Sequence, residues 1–239
     1  MSLLSEILAF AKAPNEESIN ISIWSKLSKV LSAFFLCILS VLFTAILLAI
    51  ISSIVGEDIG KQKESLTIFK SSIENFFLIV FIAPFIEELT YRFFLRRNMI
   101  SILISLFFII YFAISILNDT SFYNFELSIL LPKITMAAIP VLILYFFFKS
   151  FLIWLNKINY KYIFWVSCIS FALAHLMNFS PLSFYEKMFF PILVIPQFVY
   201  GVIFGFMRVK YGFLWGLLLH MLINFTGRIP SLINLIMTL

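Results

Sequence analysis

Five polar side chains interrupt long apolar runs of this sequence. Glu87 and Glu88 stand in Pro84-Phe-Ile-Glu-Glu-Leu-Thr-Tyr-Arg92, His175 closes Phe171-Ala-Leu-Ala-His175, and His220 and Asn224 bracket His220-Met-Leu-Ile-Asn224. A carboxylate held in a dehydrated cavity can act as a general base. An imidazole can take or give a proton near neutral pH, and a side-chain amide can donate to a developing oxyanion. Adjacent residues of a helix project ~100° apart, so the two glutamates cannot share one task. Glu88 and Arg92 lie four residues apart on one face and can pair, which leaves Glu87 to face elsewhere. His220 and Asn224 share a helix face by the same spacing, and the only two histidines of the chain belong to this set.

An ionisable group inside a membrane span costs about 2.5–3.5 kcal/mol on insertion scales. Such groups persist where they meet a wet cavity or a partner. Arg96 and Arg97 read as an interfacial patch where the helix leaves the membrane; Glu87 and Glu88 lie a turn or more deeper. One carboxylate and two histidines, Glu87, His175 and His220, also make a plausible catalytic zinc set. There is no HExxH, and Asn224 beside His220 suits an oxyanion site better than a ligand shell. The metal-free site is therefore preferred, with zinc as the alternative.

The elements that must carry these residues are membrane helices. Hydrophobic residues make up 62% of the 239, charged residues only 12%, and mean hydropathy is +1.07. A soluble domain carries about 25% charged residues, and no soluble core could hide this much apolar surface, so the expected solvent is lipid. Spans need ~20 mostly apolar residues. The sequence supplies Val30–Val55, Phe76–Leu95, Met99–Leu117, Ile134–Leu155, Tyr162–Met177, Met188–Met207 and a short Phe213–Phe225. Ile229–Leu239 is a further half-span or frayed helix. The expected fold class is all-α, a polytopic membrane protein with seven to eight transmembrane helices. Residues 1–28 form a cytoplasmic or interfacial segment in which Leu3, Leu4, Ile7, Leu8 and Phe10 recur at helical spacing until Pro14, as in a helix lying on the membrane. Residues 29–239 form the transmembrane domain. Gly201/Gly205 and Gly212/Gly216 suggest close packing of the last two spans.

The net charge of +5 reflects topology rather than nucleic-acid binding. With the N-terminus inside, eleven of the 17 Lys and Arg residues fall on the inner side, as the positive-inside rule prefers. The loop from Asn118 to Pro132 has no Lys or Arg and suits the outer face, whereas the first loop, with Lys61, Lys63 and Lys70, fits less well. Cys37 and Cys168 match no metal spacing. At 1.5 Å per residue, Glu87 and His220 lie ~14 Å from the inner ends of their helices and His175 ~20 Å, so the three can meet near mid-membrane if the helices tilt.

Taken in order, Glu87-Glu88-x-x-x-Arg92, Phe171-x-x-x-His175 and His220-x-x-x-Asn224 resemble the motifs of the CAAX protease and bacteriocin-processing (CPBP, or Abi) family of intramembrane proteases, to which the type II CAAX prenyl endopeptidase belongs. The segment Tyr200–His220 is similar to the family's last core hairpin, and the resemblance covers about residues 76–226. Phe93 stands where the family often has Gly. Arg92 and Phe171 are farther apart than is usual, and the excess is an extra helix pair, about 99–155. An even number of added spans keeps the flanking helices in their relative directions. The resemblance implies peptide-bond hydrolysis in which Glu87 activates water with help from His175. His220 and Asn224 would stabilise the oxyanion, and Glu88 and Arg92 would orient the first helix. It also implies a peptide or membrane-protein substrate, a lipid bilayer as surroundings, no nucleic acid, and a bacterial inner membrane. Two other readings remain. One is a non-proteolytic membrane protein that confers bacteriocin immunity by binding, since family membership does not prove turnover. The other is a proton-coupled transporter, which the absence of repeated halves disfavours.

Overall fold

The computed structural model describes residues 2–60, 72–179 and 182–237. Lys61, Lys63 and Lys70, which weigh on the topology, lie outside the described residues. All regular structure among the described residues is helical. Four helices are long and apolar enough to cross a membrane: α2 (Ile23–Val55), α5 (Met99–Leu117), α6 (Leu127–Leu155) and the run Tyr160–Phe179, which comprises α7 (Tyr160–Ala174) and a 3-10 turn. Phe35, Phe43, Phe146 and Phe147 stand exposed on α2 and α6, the surface that lipid would cover. At 1.5 Å per residue α2 is ~50 Å long, more than the ~30 Å hydrocarbon core. Ser22 caps its start by accepting from the Ser25 amide, and Gly56, at φ 78°, ends it in the left-handed region.

Two of the other expected spans are interrupted. The second divides into α3 (Ser72–Phe77), a π-helical turn (Leu78–Ile82), α4 (Ala83–Tyr91) and a 3-10 turn (Phe93–Leu95). The sixth, preceded by α8 (Phe184–Met188), divides into α9 (Phe190–Leu193) and α10 (Ile195–Tyr211). Pro191 and Pro196 fall in the first turns of α9 and α10, where a missing N–H is harmless. At the C-terminus the short seventh span and the tail form one helix, α11 (Phe213–Met237), which continues through Pro230.

The core is built around α10, which packs on α2, α7 and α11 and contributes the buried run Ile203–Tyr211. Gly201 and Gly205 bring α10 against α7, not against α11 as expected: a Cβ on Gly201 would lie 3.0 Å from the Cys168 backbone, and one on Gly205 would meet the Phe164 ring at 2.8 Å. Gly216 does sit on α10, where a Cβ would lie 3.2 Å from the Phe204 carbonyl oxygen. Gly212, at φ 108°, makes the turn between α10 and α11. The α5–α6 hairpin packs beside α4 with a small core of its own, Tyr111, Ile114 and Ala137.

The N-terminal helix α1 (Leu3–Lys12) forms as the periodicity suggests; part of its apolar face meets protein, while Leu4 and Leu8 stay exposed. Leu3, Ile7 and Phe10 are buried, and the Phe10 ring stands edge-on to Phe164 and Phe206 at 5.1 and 5.4 Å. The helix and the non-helical segment that follows it are tied down by polar contacts as well. Glu6 pairs with Lys29, Glu16 pairs with Arg97, Lys210 donates to Asn15, and the Ile19 amide donates to the Lys210 carbonyl.

Candidate active site

The site begins with a defect in a helix. Pro84 has no N–H to offer the carbonyl five residues back in the π-helical register, and that carbonyl belongs to Ile79. A buried orphan acceptor must find a partner. The Asn224 side chain supplies it, with Nδ2 donating to the Ile79 oxygen at 2.9 Å. One amide hydrogen of Asn224 thus holds α11 against the break in the first helix, and the second remains for the chamber that Asn224 lines.

The far end of α4 is held in a similar way. Helices leave their last carbonyls without intrahelical partners, and here four side chains from three other helices take carbonyls at the end of α4 and in the 3-10 turn after it. Leu89 accepts from Ser105, Tyr91 from Ser167, Phe93 from Arg208 and Leu95 from Tyr160. The one helix turn that carries Glu87 and Glu88 is therefore anchored at both ends by distant parts of the chain.

Glu88 and Arg92 are fully buried and pair across one helical turn at 2.5 Å. Glu88 Oε1 also accepts from His220 Nδ1 at 2.9 Å. Arg92 has Nε and Nη2 without hydrogen-bond partners. Its guanidinium lies instead over the Phe171 ring at 3.9 Å and near the Phe204 ring at 5.2 Å, a cation–π arrangement that gains strength when desolvated. Phe171 also stands edge-on to both imidazoles, 4.5 Å from His175 and 5.8 Å from His220, and Phe204 lies 4.8 Å from His220.

Glu87 points the other way, as the ~100° step requires. Its Oε2 is buried between the histidines, 3.7 Å from His175 Nε2 and 3.6 Å from His220 Nε2. Both distances exceed hydrogen-bonding range, so the rings bracket the oxygen without binding it; catalytic contacts are often long before substrate arrives. The side chain keeps 23% exposure, which opens on a chamber of about 940 Å³. Glu87, His175, His220 and Asn224 all line it, among apolar residues such as Leu78, Phe112 and Leu193.

The two rings differ in what they can do. His175 Nδ1 lies 2.8 Å from the Phe171 carbonyl oxygen. A carbonyl only accepts, so Nδ1 carries the hydrogen and Nε2 keeps a lone pair toward Glu87. His220 Nδ1 faces a carboxylate and must also donate. For His220 Nε2 to donate as well, the ring must be the imidazolium, and Glu88 faces that charge. A zinc ion would use the same trio, and both Nδ1 atoms have the acceptors that ligating histidines have. Among the described residues, however, no group of three or more His, Cys, Asp or Glu is arranged to hold a metal.

All six residues expected at the site, Glu87, Glu88, Arg92, His175, His220 and Asn224, come together. Phe204, Ser105 and Ser167 hold it without any sequence signal. Phe171 had one, because its carbonyl is four residues before His175 on the same helix. Gln197, on α10, also lines the chamber, and its buried Oε1 has no partner among the described residues.

A family model described as Type II CAAX prenyl endopeptidase Rce1-like matches residues 69–226. No curated protein and no solved structure matches.

Proposed function

The chain belongs to the type II CAAX prenyl endopeptidase Rce1-like family, and from that premise we propose that it is an intramembrane endopeptidase with Glu87 as its general base. The observation that carries this reading is the bracketing of Glu87 Oε2 by two imidazole Nε2 atoms at 3.6 and 3.7 Å, at the wall of an apolar chamber. A water on the chamber side of Glu87 gives its proton to the carboxylate and attacks the scissile carbonyl carbon. His175, whose Nε2 bears a lone pair, shares that proton. Charge develops on the carbonyl oxygen, where the free Asn224 hydrogen donates and His220 faces the same oxygen. One such donor contributes about 3–4 kcal/mol to the barrier in other enzymes. The C–N bond then breaks, and the proton held by Glu87 and His175 passes to the leaving amine. Glu88 and Arg92 position His220 and do not touch substrate.

The protein is proposed to lie in the bacterial inner membrane with its N-terminus in the cytoplasm, crossing seven to eight times once the interrupted helices are included. The substrate is a peptide or a membrane-protein segment. The test compares the peptides released from membranes holding the wild type or Glu87→Gln. Products made only by the wild type support the reading. Equal products would remove Glu87 as the base, and no products from either would favour an immunity or transport protein.

A further inference from the structure

The loop between α5 and α6, residues 118–126, is far in sequence from every motif residue, yet Thr120, Ser121, Phe122 and Tyr123 line the chamber that holds Glu87. Its shape is fixed from beneath. Asp119 adopts a left-handed conformation, φ 49°, and the Thr120 amide donates to the Ser115 carbonyl at 2.9 Å. The Phe122 ring packs at 4.9 Å from Tyr111 and 5.9 Å from Phe112, and the Tyr123 ring at 5.0 Å from Phe122. Lys133, only 3% exposed on the lipid-facing helix α6, donates to the Ser121 carbonyl at 2.9 Å and lies near the Tyr111 ring. A buried lysine in a membrane helix is expensive, and its one hydrogen bond goes to this loop.

Tyr123 is the polar group that the loop presents. Its hydroxyl has no hydrogen-bond partner among the described residues. Burial pushes its pKa well above the ordinary tyrosine value, and the negative charge of Glu87 and the Tyr91 phenol add to the shift. The phenol is therefore a lasting proton donor that shares a poorly screened chamber with Glu87. A donor without a partner in an apolar chamber suits an acceptor that arrives with the substrate, and a peptide in extended form offers carbonyls at every residue.

Resting on the protease reading, we propose that Tyr123 is a substrate-binding residue: it donates to a main-chain carbonyl of the substrate segment lying along Glu87, and Lys133 holds it in position. The α5–α6 hairpin, inserted between the first and second motifs, is on this account part of the substrate site.

The experiment uses purified full-length protein in detergent and a quenched fluorogenic library of apolar peptides. Wild type is compared with Glu87→Gln, Tyr123→Phe and Lys133→Met. One lost neutral hydrogen bond is expected to raise KM for Tyr123→Phe roughly 3- to 10-fold, with kcat within about twofold of wild type. Lys133→Met is expected to move KM in the same direction while thermal stability is kept, because an apolar isostere removes a buried charge. The affinity of Glu87→Gln and of Glu87→Gln/Tyr123→Phe for a cleaved peptide, measured by fluorescence anisotropy, should differ by the same factor. Unchanged KM and affinity in Tyr123→Phe would overturn the proposal and leave the protease reading standing. Cleavage by Glu87→Gln at the wild-type rate, or by no variant at all, would overturn that reading and this proposal with it.

Discussion

Replacing Glu88 by Gln removes the carboxylate paired with Arg92, whose side chain has no exposure. Breaking a buried pair by removing one partner costs about 3–5 kcal/mol, because the remaining charge is left uncompensated. The Gln carbonyl can still accept one hydrogen bond, and the Phe171 and Phe204 rings still face the guanidinium, so the lower figure, ~3 kcal/mol, is expected. For a domain of this size that corresponds to a melting temperature lower by ~6–12 °C. Glu87→Gln should behave in the opposite way. Glu87 Oε2 makes no hydrogen bond and its side chain is partly exposed to the chamber, so the variant should melt within ~2 °C of wild type while losing cleavage. The assay is thermal unfolding of both variants in the same detergent, with Glu88→Gln/Arg92→Met as a third. Replacing a buried ion pair with apolar groups is often neutral, so the double variant should recover much of the loss. The reasoning is refuted if the two single variants lose equal stability, or if the double variant is worse than Glu88→Gln alone.

Three further outcomes are expected. Strong chelation should leave peptide cleavage intact; stoichiometric zinc with activity lost on chelation and restored by zinc would recast Glu87, His175 and His220 as ligands. Cysteines placed at the exposed positions Glu17 and Asn118 should label from opposite sides, with only Asn118→Cys reacting with an impermeant reagent on intact cells; the native Cys37 and Cys168 are buried and give little background. Gly201→Ala should cost about 1–3 kcal/mol through overpacking, since its Cβ would press on the Cys168 backbone, and a variant as stable as wild type would show that α7 and α10 are loosely packed.

The site residues were legible because each was an anomaly. Charged and imidazole groups inside apolar runs ask for an explanation, and i, i+4 spacing alone pairs Glu88 with Arg92. The scaffold was less legible. Ser105, Ser167 and Tyr160 look like ordinary membrane-helix residues, and their roles depend on carbonyls 16, 76 and 65 positions away. The π-helical turn follows from Pro84, but its repair by Asn224 joins residues 145 apart. Hydropathy found α5 and the approximate extents of α2, α6 and α7. It merged α9 and α10 into one span and divided α11 in two, because an average over ~20 residues does not register where a proline falls within a turn. The apolar stripe of α1 was visible, but that Leu3, Ile7 and Phe10 pack on protein depends on distant rings such as Phe164 and Phe206, while Leu4 and Leu8 stay exposed.

The carbonyl partners at the two ends of the Glu87–Glu88 turn have a bearing on how the chain is made. A ribosome delivers that turn to the membrane long before His220, 132 residues later, can reach Glu88. At ~5–20 residues per second the delay is on the order of 10 s. During that time Arg92 has Glu88, but Glu87 is without its rings and the carbonyls of Tyr91 and Phe93 are without Ser167 and Arg208. A nascent chain stopped before α7, which has none of these partners, therefore carries a span that lipid tolerates poorly. Such fragments should be preferred targets for membrane quality-control proteases, whereas the completed chain has covered the same groups.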